Sequence, residues 1–285
     1  MSDAAPSFPF VQVEIPWALG PPDGRYVLRD DRDAPPGAVL VLRTLGAPER
    51  RRLGRRRASK AVAPEPAPAP VLTTRATVVS VAQRFESPEA AERWLHDAGE
   101  ETVSGALTQL NGALAAHRLA SADPHVREVA RDAAIVARVG FGAGEQVAEG
   151  RWTQAREVPP PRERRQRRTT ALRPQERFAA LVGAREMPLA CEELALRARL
   201  DLDAGRLRPG ALQLRAALEA AVIELGRDGR GEGMTARLTE LGALRERAER
   251  AAGRALAGEE PDRDDVALPL GRLEAALRAR GVAGT

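Results

Sequence analysis

Two short segments rich in arginine and proline interrupt the apolar patterning of this 285-residue chain. Residues 47–71 and residues 158–173 contain neither the helical nor the alternating period of apolar residues that a packed element needs. Their clustered prolines are typical of extended linkers. The sequence therefore predicts three structured parts, residues 1–46, residues 72–157 and residues 174–285, joined by two linkers.

The two linkers also hold the positive charge of the chain. Residues 47–70 and residues 158–173 each carry a formal net charge of +5, whereas the whole chain carries +4, so the remaining residues are net −6. A basic domain that binds DNA or RNA is therefore not indicated, and any contact with a phosphate backbone falls to the linkers. The arginines that would make such contacts are Arg50, Arg51, Arg52, Arg55, Arg56, Arg57, Arg162, Arg164, Arg165, Arg167 and Arg168.

Other sequence features argue against whole classes of protein. The single cysteine, Cys191, cannot form an intramolecular disulfide or a cysteine-rich zinc site. No apolar run approaches the ~18 residues of a membrane span. The first residues lack the basic start and apolar stretch of a signal peptide. We therefore expect a cytoplasmic protein with no membrane partner.

Residues 10–46 have the alternating pattern of β-strands. The apolar residues from Val11 to Trp17 share one face of a first strand, and turns rich in glycine and proline separate two further strands, over residues 25–29 and residues 38–42. The succession predicts a small antiparallel β-meander. Because three strands bury little surface by themselves, we expect this sheet to pack on another part of the chain.

The second structured part combines one strand with helices. The strand is expected over residues 76–82, and Ser87 followed by Pro88 predicts a helix start, since serine caps the free amides and proline tolerates the first turn. Further helices are expected over residues 100–120 and over the apolar stripe from Val126 to Val136. This pattern predicts a mixed or mainly helical domain.

The third part has helical periodicity throughout. Helices are expected from Pro174 to Val182 and from Pro188 to about Ala204. After a turn at Gly205, Pro209 and Gly210, a third helix runs to Leu225. Two more are expected from Met234 to Ala255 and over residues 265–280. Many inward positions are alanine, which favours close-packed hairpins over a large ligand cavity. The predicted fold class is thus α+β, mainly α: a small N-terminal antiparallel β-meander, helical or mixed domains, and a C-terminal helical hairpin bundle.

No glycine or histidine motif completes a cofactor or metal site. Gly140, Gly142 and Gly144 resemble a phosphate-binding loop, but Glu145 stands where the dinucleotide fingerprint requires glycine, so the segment is interpreted as a loop that ends a helix. The three histidines, which are His96, His117 and His125, have no i, i+4 pair of the kind that helical zinc motifs use. We predict no cofactor and no metal.

A catalytic thiol is also disfavoured. Cys191 lies on a predicted helix and is followed directly by Glu192 and Glu193, whose charge opposes formation of the reactive thiolate. An enzyme that uses His117 with Asp123 or with Cys191 remains the least favoured hypothesis. No catalytic residue is therefore predicted.

The helical hairpin over residues 174–200 has the spacing of a DNA-reading helix-turn-helix. However, Glu186, Glu192 and Glu193 stand near the start of the helix that would read the bases, and carboxylates repel phosphates. We expect this hairpin not to read DNA.

The leading hypothesis is a non-enzymatic helical interaction or scaffold protein. It depends on the lack of a complete catalytic motif and on a near-heptad apolar stripe in the helix that begins at Met234. Met234, Leu238 and Leu241 are the predicted interaction face, for self-association or for a protein partner. The alternative is a nucleic-acid-associated protein that binds phosphate through the two arginine-rich linkers.

Overall fold

The structure is a computed structural model that describes residues 6–29, 31, 33–46, 71–160, 168–228 and 233–283. It divides into two compact units, residues 1–162 and residues 163–285. The first unit contains all the described strands, and the second is built from helices. Because helices account for most of the described structure, the α+β, mainly α fold class is confirmed.

One antiparallel sheet forms the first unit. Its strands follow the spatial order β2-β3-β4-β1-β5-β6. Their bounds are Phe8–Ile15 (β1), Gly24–Leu28 (β2), Ala38–Leu45 (β3), Thr73–Val79 (β4), Val136–Gly142 (β5) and Gln154–Glu157 (β6). The predicted N-terminal β element and the predicted mixed domain thus share one sheet.

The connection of the first three strands differs from a meander. β2 and β3 pair as neighbours, but β1 lies between β4 and β5 and does not pair with β2. The physical reason is that both faces of β1 are buried: Val11 and Val13 lie in the main core, and Phe10 and Gln12 are buried on the opposite face. A strand buried on both faces belongs at the centre of a sheet.

Two helices, α1 (Pro88–Asp97) and α2 (Glu100–Ser121), pack on one face of the sheet. The predicted start of α1 is confirmed, since the Ser87 side chain accepts a hydrogen bond from the Ala90 amide. The main core joins the sheet to the apolar stripe of α2, whose buried members include Val103, Leu107, Leu110 and Leu114.

The predicted helix after residue 123 is wrong. The structure has only a short 3₁₀ helix there, Arg131–Ala133, and then strand β5. The Asn111 side chain holds the preceding extended segment, because it donates to the Val129 carbonyl and accepts from the Val129 amide. The apolar spacing of this segment matched a helix by coincidence, and the sheet offered the better burial for Val139 and Phe141.

Two glycines between residues 140 and 144 allow close packing within the sheet. Gly140 and Gly142 lie within β5 rather than in a loop. A Cβ atom on Gly140 would lie 2.5 Å from the Gln154 carbonyl oxygen and 2.7 Å from Cζ of Phe10. Glycine is required because a neighbouring backbone and an aromatic ring approach this position closely.

A second 3₁₀ helix, Gly144–Glu149, covers part of the other face of the sheet. Its Val147 packs with Phe10 and Val79, and its Ala148 packs on β3. Beside it, Glu14 lies between the guanidinium groups of Arg75 and Arg138, at 2.8 Å and 3.2 Å. Burial acts to raise the pKa of Glu14, but these two arginines outweigh it and the pKa is lowered.

The described part of the second unit contains five helices. They are α3 (Arg168–Val182), α4 (Ala190–Asp203), α5 (Leu207–Asp228), α6 (Met234–Leu256) and α7 (Arg263–Ala283). Each of α4 to α7 packs on the next, and α7 returns against α4 and α5. Alanine supplies many of the buried positions, so the helices pack closely around a core that includes Leu214, Leu218, Leu241 and Leu270.

None of the described helices is both long enough and apolar enough to span a bilayer.

Candidate interaction surface

The residues considered for catalysis are divided between the first unit, which we call the sheet unit, and the second, which we call the helical unit. Among the described residues, no group of three or more histidine, cysteine or acidic side chains could hold a metal ion. His117 belongs to the sheet unit and Cys191 to the helical unit. Asp123 accepts a hydrogen bond from the His125 backbone amide, as in a local turn.

The Cys191 thiol is buried in the helical unit. Its pKa is raised to about 12; burial is the largest cause, and the adjacent Glu224 and Glu192 carboxylates are the others. The Glu224 side chain accepts hydrogen bonds from the Ala190 and Cys191 amides and so caps α4 from another helix. Cys191 is therefore a packed thiol at a capped helix start, with little thiolate at neutral pH.

Most of the arginines predicted to contact phosphate lie outside the described residues; these are Arg50, Arg51, Arg52, Arg55, Arg56, Arg57, Arg162, Arg164, Arg165 and Arg167. Arg168 is the first residue of α3, so the predicted linker over residues 158–173 is wrong for residues 168–173, which are helical. The Arg168 side chain is not described. Phosphate binding by these residues stays a prediction.

The predicted interaction face on α6 is covered by the chain itself. Met234 and Leu241 are buried in the core of the helical unit, and Leu238 packs against that core. Their stripe is used to hold α6 on its neighbours, because a near-heptad pattern serves helix packing within a chain as well as between chains. This stripe is therefore not an exposed interaction surface.

Large apolar side chains are exposed on α3, on α4 and in the loop between them. Two of them, Phe178 and Val182, lie one turn apart on α3 and are 67% and 71% exposed. Leu196 and Leu200 repeat this spacing on α4, with 71% and 48% exposure, and Met187 in the loop is 72% exposed. We call Phe178 and Val182 the α3 ridge, and Leu196 and Leu200 the α4 ridge.

Ion pairs attach α3 to the rest of the unit. The Arg177 guanidinium lies 2.5 Å from the Glu192 carboxylate and 3.4 Å from that of Glu186. Arg280 of α7 is only 5% exposed and pairs with the same two carboxylates at 3.5 Å and 3.0 Å. Two of the three acids that make this hairpin unfavourable for DNA, Glu186 and Glu192, thus have a structural use, since they hold two buried or half-buried arginines.

A groove of about 360 Å³ opens beside these ion pairs, between α4 and α7. Ala195, Leu196 and Leu277 provide its apolar surface, and its charged edges are Arg177, Glu192, Glu274 and Arg278. Glu274 is held in place by Arg199, whose guanidinium approaches it at 2.7 Å. The groove therefore combines apolar walls with two charges of each sign.

The sheet unit has wider but less apolar clefts. One, of about 600 Å³, lies beside the start of α1, where its lining includes Ser7, Arg84, Glu86 and Phe141. Another, of about 720 Å³, lies between α2 and the β2-β3 connection, and Gln83 and Gln109 are among its residues. Among the described residues that line them, neither cleft gathers a metal-binding group of histidine, cysteine and acidic side chains.

Sequence reasoning missed the two ridges. Their apolar residues were visible at i, i+4 spacing, but a helical pattern does not tell whether the apolar face is covered by the same chain. A weak signal was present in α3, where residues 178–182 lack a charge in a chain that is 29% charged.

Comparison with protein-family models, with curated proteins and with solved structures finds no significant match to this chain. The geometry of the molecule is therefore the basis for the functional argument.

Proposed function

We propose that the protein is a non-enzymatic interaction or scaffold protein whose helical unit binds a protein partner through the α3 ridge and the α4 ridge. The observation that carries the proposal is the exposure of four large apolar side chains at regular helical spacing beside an apolar groove. Exposed apolar surface of this kind marks protein contacts more often than catalysis. The packed state of Cys191 gives further support.

The charge of the surface indicates what kind of partner fits. Its groove carries Arg177 and Arg278 against Glu192 and Glu274, so it has no net charge. A strongly acidic or basic partner would gain little electrostatic attraction there. An apolar helix face fits best, since ridges at i, i+4 spacing pack into grooves between helices.

Site-specific photo-cross-linking tests the proposal. A photoreactive amino acid is placed at position 196 of the full chain, and in a matched control at position 223. Ile223 of α5 is 54% exposed and does not line the groove. Each protein is irradiated in purified form and in extract of its native cells. We expect a protein adduct from position 196 that is much weaker from position 223 and is lost when Leu200→Glu is added.

Equal labelling from the two positions, or no adduct from position 196 in either preparation, would overturn the proposal. Circular dichroism of each variant shows whether its helical content equals that of the unmodified chain, so that a loss of adduct is not a loss of fold.

A further inference from the structure

The described side chains of α3 lie outside the apolar core of the helical unit. Residues 175–182 are absent from the buried cluster and from the half-buried residues that pack on it. Within this range, Arg177 contacts the carboxylates of Glu186 and Glu192, and we call these two contacts the α3 ion pairs. Charge therefore contributes more than core burial to the docking of residues 175–182.

Both carboxylates of the α3 ion pairs have a second partner. Arg280 of α7 lies 3.0 Å from Glu186 and 3.5 Å from Glu192. Glu192 also accepts a hydrogen bond from the Leu189 amide before the start of α4. Detachment of α3 therefore leaves neither carboxylate without a cation, and an unpaired buried charge is the main cost of breaking such contacts.

The two arginines of this cluster differ in their exposure to water. The Arg177 side chain is 36% exposed, whereas that of Arg280 is 5% exposed. Water can replace the partners of Arg177 when it leaves, but it does not reach Arg280 to the same extent. Arg280 therefore anchors the two carboxylates within the unit, and Arg177 is the cation that can be released.

We propose that α3 detaches from α4–α7 as a separate step, while the rest of the unit stays folded, and that the α3 ion pairs control this step. Because Arg177 also lines the groove between α4 and α7, detachment opens one edge of that groove. The α3 ridge and the α4 ridge can contact one partner together only while α3 is docked. In this last consequence the inference rests on the proposed function, whose site it would regulate.

Hydrogen exchange of the purified full chain at two salt concentrations tests the proposal. A detached α3 is a 15-residue helix without support, which is marginal in water, so its amides exchange when it detaches. Between about 0.1 M and about 1 M sodium chloride, the Debye length falls from about 10 Å to about 3 Å. The amides of residues 175–182 should exchange about threefold faster at the higher salt, since exposed ion pairs are weakened by screening, and those of α4–α7 should change much less.

Two matched variants assign the salt effect to Arg177. Arg177→Gln should speed exchange of residues 175–182 about fivefold at the lower salt and should remove the salt dependence, because the α3 ion pairs are already absent. Arg185→Gln removes the same charge from an exposed arginine just after α3 that forms no ion pair with another described residue. This control should keep both the slow exchange and the salt dependence of the unmodified chain.

Three results would overturn the proposal: exchange of residues 175–182 that does not depend on salt, a salt effect that persists in Arg177→Gln, or equally faster exchange of α4–α7 in that variant. The first of these is measured on the unmodified chain, so it decides even if Arg177→Gln does not fold.

The exchange measurements need no partner. Absence of a cross-link from position 196 would overturn the proposed function and leave the detachment of α3 standing. Exchange of α3 that is independent of Arg177 would overturn the detachment step alone.

Discussion

The sheet unit and the helical unit bury apolar surface in different ways. In the sheet unit, α1 and α2 cover one face, and the 3₁₀ helix Gly144–Glu149 covers part of the other. In the helical unit, α4 to α7 close around alanine-rich contacts, while α3 remains attached by ion pairs with its ridge exposed.

This difference has a geometric origin. A sheet has two fixed faces, and the central strand β1 has buried residues on both of them. A helix in a bundle needs only one covered side, so a peripheral helix can remain with the other side open. The helical unit can therefore keep an apolar side of α3 exposed.

The largest expected effect is the loss of stability when a large buried side chain is removed from the sheet unit. Phe10→Ala removes a buried ring that stacks on Trp152 at 5.7 Å between centroids. The free energy of unfolding of the sheet unit should fall by about 3–5 kcal/mol, because a cavity replaces the ring. Urea unfolding followed by hydrogen exchange of β1 and β5 measures it. Val27→Ala, at an exposed site of β2, is the control and should change stability by less than about 0.5 kcal/mol.

The next effect tests the buried ion pairs of the helical unit. Arg280→Met removes the cation that pairs with Glu186 and Glu192, and we expect a loss of about 3 kcal/mol because both carboxylates lose a partner inside the structure. Thermal unfolding followed by circular dichroism measures it. The control Arg272→Met, on the same helix as Arg280, breaks a mainly exposed ion pair with Glu240 of α6 and should cost under about 1 kcal/mol. Equal losses in the two variants would contradict the structural role of Arg280.

Two glycine substitutions should change the stability of the two units in opposite directions. Gly140→Ala should destabilise the sheet unit by about 1–3 kcal/mol, because the new methyl group meets the Gln154 carbonyl and the Phe10 ring. Gly253→Ala, in α6, meets open space and should stabilise the helical unit by about 0.5–1 kcal/mol. Differential scanning calorimetry of the full chain checks both. Stabilisation by Gly140→Ala would show that β5 is not packed as described.

The smallest expected effect is the pH-dependent stabilisation by the ion pairs of Glu14. Glu14→Gln should cost about 1 kcal/mol near pH 7, because Arg75 and Arg138 lose their shared carboxylate. The pKa of Glu14 is lowered from 4.5, so its stabilisation is present above the unfolded-state pKa and is lost as pH falls through the folded-state pKa. Urea unfolding at several pH values should show the gap between the variant and the unmodified chain closing in acid. A gap that is constant with pH would contradict the prediction.

Local signals in the sequence predicted much of the fold. The cap at Ser87, the apolar stripe of α2 and the alanine-rich helices of the second unit were all read from short spacings, because caps and amphipathic periods depend on neighbours in the chain. The pairing of segments that are distant in the chain could not be predicted from such local signals. β5 resembled a helix until the sheet supplied partners for Val139 and Phe141, and β1 joined strands that are distant in sequence.

The exposure of the candidate interaction surface was likewise not predictable from local spacing. The stripe of Met234, Leu238 and Leu241 was correctly apolar, yet its use inside the unit depends on helices that come before and after it in the chain. The α3 ridge has the weaker pattern, and it is the one left exposed. Periodicity measures which side of a helix is apolar, whereas packing decides whether that side is covered.

The sequence by itself determined the fold class, the placement of positive charge in two linkers and the lack of a complete catalytic, cofactor or metal motif, since these follow from composition and local spacing. Only the tertiary structure decided that β1 is a central strand, that Glu186 and Glu192 hold Arg177 and Arg280, and that the α3 ridge faces solvent. The physical reason is that burial is a property of the whole packed chain, and each residue contributes only its preference for it.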